Sequence, residues 1–310
     1  MGDEHAAEKI VAMEKRPSVS VVIPAYFSHP TLAGCLESLR RQQFHTFETI
    51  LVNSSAEDTT GETVTGRFPE VRFFQSPQRL YPHAARNKGV EMASGGLLVF
   101  TDPDCTYGPD WLEQIVLGHR NGHPVVVGAM GHKSDSWFEN GVHLTKFFEF
   151  LPGLPEGWRS IAPTANAAYD RAVWEGIGPF DGTIFTGDAV QSWKATLEGY
   201  PIRFMPKAVV YHRHEGDMGS FWRERWTRGA EFIDQRIRFF GWTPGRCLAY
   251  MAVMPLRLLH VLFVKAVLAS FRSGWGLRYL WTLPVQFVGQ LGWTLGEARG
   301  CWRHLTSRRP

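Results

Sequence analysis

Two hydrophobic patterns alternate along the first hundred residues: unbroken apolar runs, and stretches whose apolar positions recur every three or four residues. Residues 19–26 form a β-branched run closed by Pro24 and read as a buried strand. Leu32, Cys35, Leu36 and Leu39 share one face of a helix expected over 31–42. A second strand, 48–52, runs into a polar loop, 53–60, that can cap the next helix. Residues 71–74 and 97–100 supply two more strands, with a helix expected over 84–92 between them. Strands separated by helices imply an α/β fold, a mostly parallel sheet with right-handed crossovers and flanking helices. Ligands in such sheets sit beyond the carboxyl ends of the strands. Tyr26, Asn53 and Asp102 all fall at such ends, so one crevice can collect them.

Beyond residue 240 the pattern changes. Residues 247–271 are apolar but interrupted by Arg257, His260 and Lys265. With Arg272 these fall within an arc of about 140° at helical pitch, opposite Leu, Val, Met and Phe. A second segment, 280–295, places Thr282, Gln286, Gly289, Gln290 and Glu297 on one face, and Pro255 and Pro284 near the two helices' first turns. The expectation is a C-terminal region, 241–310, of two amphipathic helices lying in or dipping into a membrane interface. Charges near a span's centre speak against a transmembrane hairpin. Packing on the rest of the protein, or an oligomer interface, is the alternative.

Charge sharpens that reading. Residues 241–310 carry nine basic side chains against Glu297 alone, a net of +8, whereas the remainder carries −5 within an overall +3. A basic tail rich in Trp and Leu suits an anionic membrane surface better than nucleic acid. The four cysteines (Cys35, Cys105, Cys247, Cys301) form no C-x-x-C pair, which fits a reducing compartment. The charged N-terminus shows no signal-peptide pattern, and Met1-Gly2 lacks the Ser or Thr at position 6 that myristoylation wants. These features together point to the cytoplasmic side of a membrane. The length allows one or two domains.

The candidate chemistry starts at Asp102-Pro103-Asp104, straight after the fourth strand. Two carboxylates one residue apart at a strand end can hold one hard cation against a diphosphate. Alone, the same residues also read as a solvated turn.

The surrounding pieces decide between these. Val22-Ile-Pro-Ala-Tyr26, Val52-Asn-Ser-Ser-Ala-Glu-Asp-Thr-Thr60, Ala85-Arg-Asn-Lys-Gly89, Phe100-Thr-Asp-Pro-Asp-Cys105, Pro109-Asp-Trp-Leu112, Asn166-Ala-Ala-Tyr-Asp-Arg171, Gly178-Pro-Phe-Asp181, Thr186-Gly-Asp188 and Pro206-Lys-Ala-Val-Val-Tyr-His212 follow one another in order. Residues 19–215 thereby resemble a family 2 glycosyltransferase of GT-A fold. The resemblance implies a catalytic domain over 18–240 after an extension, 1–17. Its nucleotide-binding half is 18–115 and its acceptor-binding half 116–240.

It also implies roles. Pro24, Ala25, Tyr26, Asn53, Ser54, Arg86, Asn87, Asp102 and Asp104 would meet a nucleotide sugar, UDP-linked by default. Asp102, Asp104 and, as a third ligand, His212 would hold Mg²⁺ or Mn²⁺. Asp188 would be the base that takes the acceptor hydroxyl's proton in a single, inverting displacement, although an Asp before a helix is also a common N-cap. Asp181, Trp222, Arg225 and Trp226 would face a carbohydrate or lipid-linked acceptor, with packing of Trp222 and Trp226 on the body as the competing reading. Three departures stand out: Asn53 and Ser54 replace the acids that read the base, Gly187 replaces a Glu, and Trp222 replaces the Gln of processive polymerases. Surface polysaccharide synthesis fits this reading, processive synthesis does not. A sugar-nucleotide nucleotidyltransferase expects a glycine-rich loop after the first strand, where Ala25-Tyr-Phe-Ser-His-Pro30 has none. A non-catalytic membrane adaptor on a degenerate transferase fold is the remaining alternative. His29, His45 and His83 read as loop or turn residues without a role.

Overall fold

A computed structural model of the protein describes residues 18–56 and 59–307. The N-terminal extension, residues 57–58 of the second loop and 308–310 lie outside the described residues. The first half runs β1 (Val19–Ala25), α1 (His29–Arg40), β2 (Phe47–Asn53), α2 (Thr60–Arg67), β3 (Arg72–Gln75), α3 (Pro82–Met92), β4 (Leu97–Thr101), β5 (Cys105–Tyr107) and α4 (Trp111–Arg120). Every residue of β1 and β4 is buried, as unbroken apolar runs between two helical layers should be. Helices α1 and α3 start earlier than their apolar periodicity suggests, because Pro30 and Pro82 fit the first turn, where no amide partner is needed.

The second half adds β6 (Val125–Gly131), α5 (Trp137–Phe147), β7 (Gly157–Arg159), β8 (Asn166–Asp170), α6 (Arg171–Ile177), α7 (Gly187–Leu197), β9 (Ile202–His212) and α8 (Met218–Phe239). All strands join one sheet in the order β3-β2-β1-β4-β8-β6-β9-β5, with β7 beside β9. Strands β1 to β4 pair in parallel, and β8 then runs antiparallel to β4. The chain moves left from β1 to β2 and right from β1 to β4. That reversal opens a crevice above the carboxyl ends of β1 and β4, where Tyr26 and Asp102 begin. Asn166 ties the second half together: its Nδ2 donates to Ala129 O and Ala208 O, and its Oδ1 accepts from Trp111 Nε1.

The tail comprises α9 (Pro244–His260), a π-helical stretch (Val261–Ala266), α10 (Val267–Arg272) and α11 (Gly276–Thr306). Pro255 and Pro284 lie well inside α9 and α11, not at their first turns. In the second helix the polar residues share one face, as the sequence expects. Its polar face points inward, against α8 and α5, and Thr282, Gln286, Gln290 and Glu297 are buried. Each uses its polar atoms there: Gln286 donates to Tyr279 O and Thr282 Oγ1, Gln290 to Thr145 O, and Glu297 accepts from Arg257 and Tyr250. Close approach needs small residues, so a glycine stripe lines this face. A Cβ on Gly296 would lie 2.2 Å from the Trp226 carbonyl. The apolar residues face out instead, with Leu256 70% and Leu277 83% exposed. Residues 244–272 are long and apolar enough to cross a membrane, by length and composition.

Candidate active site

A cavity of about 610 Å³ opens above the β1 and β4 ends and is closed on the far side by α5, α7, α8 and α11. Pro24, Ala25, Tyr26, Ser54, Arg86, Asp102, Asp104, Asp188, His212 and Arg225 all line it. The structure thus brings ten sequence-derived residues to one space, from positions up to two hundred residues apart.

The metal-facing wall forms because β5 pairs antiparallel with β9, setting Cys105 opposite His212. That register puts Asp104 Oδ1 3.6 Å from His212 Nε2. The His212 Nδ1 sits 2.6 Å from the Arg213 carbonyl, which can only accept, so Nδ1 carries the proton. The other ring nitrogen, Nε2, then faces the Asp104 carboxylate. An imidazole nitrogen and a carboxylate oxygen at this spacing, with the other ring nitrogen held by a carbonyl, can ligate one cation together, and the residues present therefore suit a divalent ion. Burial lifts the Asp104 carboxyl above its ordinary range; His212 opposes the rise and Asp102 adds to it. Cys105 is close by, but burial, with Asp104 and Asp102 beside it, pushes its thiol far up, so it remains protonated. Asp102 makes an ion pair with Arg86, whose side chain is almost fully buried. Arg86 is therefore an interior charge aimed at the site and not a surface salt bridge; its Nε has no hydrogen-bond partner.

Asp188, which also lines the cavity, occupies the first turn of α7 but does not cap it. The N-cap residue is Thr186, and Glu231 Oε1 accepts from Phe185 N, Thr186 N and Thr186 Oγ1. Asp188 takes one bond, from the Ala189 amide at 2.9 Å. Burial raises its carboxyl pKa, with Arg86 and Arg228 pulling against that and Asp102 adding to it.

Gly187 has a partner that sequence reasoning missed. A Cβ there would lie 2.7 Å from His83 Cδ2. His83 is no loop residue: it sits buried in α3 with Nε2 3.0 Å from Phe185 O, and burial, aided by Arg86, drives its pKa down to about 3. A neutral imidazole thus occupies the room a larger side chain at 187 would need. No periodicity could have paired two residues 104 positions apart.

Five expected contacts do not reach the cavity. Asn53 is fully buried and turned into its own loop: Oδ1 accepts from Ser55 N and Oγ, and Nδ2 donates to Gln75 Oε1. Asn87 clamps Phe180 through both its backbone groups. Asp181 is exposed and accepts from Thr183 N and Oγ1. Trp222 packs against Gly292 on α11, and the Trp226 ring lies tilted beside it, centroids 6.2 Å apart. The rim at Tyr26 is instead aromatic and cationic, with the Arg79 guanidinium 4.6 Å over the Tyr26 ring. On the helical side, a Lys146–Glu224 pair at 2.7 Å, Arg225 over Trp293 and Arg228 over Phe185 complete the wall. Burial lowers the Lys146 pKa against the pull of Glu224.

Residues 20–178 match Glycosyl transferase family 2. The chain is 26% identical over 206 residues to the glycosyltransferase AglE of Haloferax volcanii, covering 63% of this chain and 67% of that one. It is 26% identical over 241 residues to the probable glycosyltransferase YdaM of Bacillus subtilis, covering 71% of this chain and 57% of that protein. In fold it is similar to the mannosyltransferase PcManGT of Pyrobaculum calidifontis, solved with GDP-Man and Mn²⁺: TM-score 0.57, 18% identity, 89% of this chain and 87% of the other.

Proposed function

The chain belongs to glycosyltransferase family 2 and is an enzyme of that kind, and from this premise we propose that it transfers a sugar from a nucleoside-diphosphate donor to an acceptor hydroxyl with inversion, using a divalent cation. One observation carries the reading: the Asp104–His212 pair and Asp188 line the same cavity. Asp102, Asp104 and His212 would hold Mg²⁺ or Mn²⁺, which when bound supplies Lewis-acid neutralisation of the diphosphate.

The remaining work falls to this chain's own groups. Tyr26, with Arg79 over its ring, offers a face on which a base can stack, and Ser54 lines the cavity beside it. Arg86 holds Asp102 in place and adds positive charge where the leaving diphosphate gathers negative charge. Asp188 Oδ takes the proton as the acceptor oxygen bonds to the anomeric carbon and the bond from that carbon to the phosphate oxygen breaks. Its raised pKa makes it a stronger base than an exposed aspartate. UDP is the default donor nucleotide, and a GDP-sugar fits the same diphosphate chemistry.

The acceptor is proposed to be membrane-borne, at the cytoplasmic face. Exposed Leu256, Phe263, Phe271, Leu277 and Trp281 give the tail an apolar face, and Arg246, Lys265 and Arg272 stand on the same helices. The deciding experiment is donor turnover with Mn²⁺ across UDP-, GDP- and dTDP-sugars, repeated for Asp104→Ala. Mn²⁺-dependent release of the nucleoside diphosphate, lost in Asp104→Ala, is expected. Equal turnover without metal and in the variant overturns the metal assignment.

A further inference from the structure

Next to His212, but outside the cavity lining, three buried histidines from three elements meet. His132 follows β6, His143 lies in α5, and His214 follows β9; they are 7%, 0% and 5% exposed. One ring nitrogen of each lies within 4.8 Å of the others.

The backbone fixes two of their tautomers. His143 Nε2 is 3.0 Å from Met130 O, so the proton is on Nε2 and the lone pair on Nδ1. That lone pair looks at His214 Nε2, 3.0 Å away. His132 Nδ1 is 2.9 Å from His212 O, so its lone pair is on Nε2. This Nε2 is buried, has no hydrogen-bond partner, and faces Glu139 Oε2 at 3.6 Å. A buried ring nitrogen with no hydrogen-bond partner, facing a half-buried carboxylate, is a pair of donor atoms that one cation can bridge. Metal-binding histidines characteristically give their other ring N–H to a carbonyl, which aims the lone pair at the ion. His132 and His143 both do so.

We propose that His132, His143 and His214, with Glu139 as fourth ligand, form a second divalent-metal site that takes a borderline cation of the zinc class. Three imidazoles and one carboxylate suit Zn²⁺ or Co²⁺, whereas the oxygen-rich Asp102–Asp104 wall suits Mg²⁺ or Mn²⁺. All three rings are buried side by side, and a neutral imidazole is the form that ligates. Tetrahedral ligands at about 2.1 Å stand about 3.4 Å apart, so binding draws the wider pairs inward and swings Glu139, a first-turn residue of α5, toward His132. The site would tie the end of β9 to β6 and α5 two residues from His212, and thereby steady that side chain. Its existence does not depend on the sugar-transfer reading.

The test uses the full chain carrying Asp104→Asn, which silences the other cation site. Metal-free protein is titrated with Co²⁺ alone and then with Zn²⁺. The expected result is one equivalent of Co²⁺ giving the intense visible bands of tetrahedral coordination, displaced by one equivalent of Zn²⁺. Adding His143→Asn or His132→Gln removes the bands while far-UV circular dichroism stays unchanged. If His143→Asn fails to fold, His132→Gln decides. Absence of tetrahedral Co²⁺ bands in the folded Asp104→Asn protein overturns the site and leaves a hydrogen-bonded histidine cluster. Bands that persist in folded His132→Gln overturn the ligand set. Failure of sugar transfer would leave these outcomes untouched.

Discussion

The cavity wall proposed to meet the donor and the wall proposed to meet the acceptor are built in different ways. Donor-side residues stand where strands end: Ala25 closes β1, Ser54 follows β2, and Asp102 follows β4. Parallel strands bring those ends together by topology, so position along the chain predicts position in the site. Acceptor-side residues come from helices and owe their placement to packing. Lys146 on α5 meets Glu224 on α8 across 78 positions, and both are held by α11, from the end of the chain. The first wall is set by local pattern, and the second by how far-apart helices fit together.

The comparison is sharpest at Asp188, the one acceptor-side residue expected to take part in chemistry. Asp188→Asn keeps the shape and removes the base, so kcat is expected to fall roughly 10²–10⁴-fold with little change in donor KM. Activity of the unaltered enzyme needs Asp188 ionised. It should therefore fall as pH drops through a pKa that lies above the ordinary aspartate value, and that acid limb should vanish in Asp188→Asn. A pH–rate profile in which the variant keeps both its rate and its acid limb removes Asp188 from the mechanism.

The same division explains what could be read without coordinates. The four strands, the helices between them and the Asp-x-Asp placement follow from unbroken apolar runs that end in polar residues. A strand buried on both faces leaves little other choice for that pattern. The tail shows what the pattern leaves open. Amphipathicity shows that a helix has two faces but not which of them is wet, and α11 turns its glycines and amides inward because they make close, hydrogen-bonded contacts with α8 and α5. Asn53 is similar: its amide has both a donor and an acceptor, but the loop consumes them. His83 gives no sequence signal, since a single histidine in a helix carries no period.

His83 and Gly187 supply the next, smaller effect. Restoring a carboxylate with Gly187→Glu forces the new side chain against the His83 ring, an overpacking expected to cost about 1–3 kcal/mol. His83→Ala opens that room, so the double variant should recover much of the loss. Denaturant midpoints of the four proteins give the coupling directly. Additive effects would mean that the two residues do not share the space, and that packing does not govern this wall at 187.

The smallest effect belongs to the donor rim. Arg79 lies over Tyr26 and reaches Tyr81 at 6.0 Å, with no acidic partner among the described residues. An exposed cation–π contact contributes about 0.5–1 kcal/mol. If that contact holds Tyr26 flat for a nucleobase, Arg79→Ala should raise donor KM roughly two- to five-fold at constant kcat. The KM–kcat split is what makes the measurement informative: a wall defined by strand ends positions the donor uniformly in ground and transition states, whereas the acceptor wall acts on the proton that moves. A fall in kcat for Arg79→Ala, with donor KM unchanged, would erase that distinction, because a residue at the donor rim would then be acting on the reaction step.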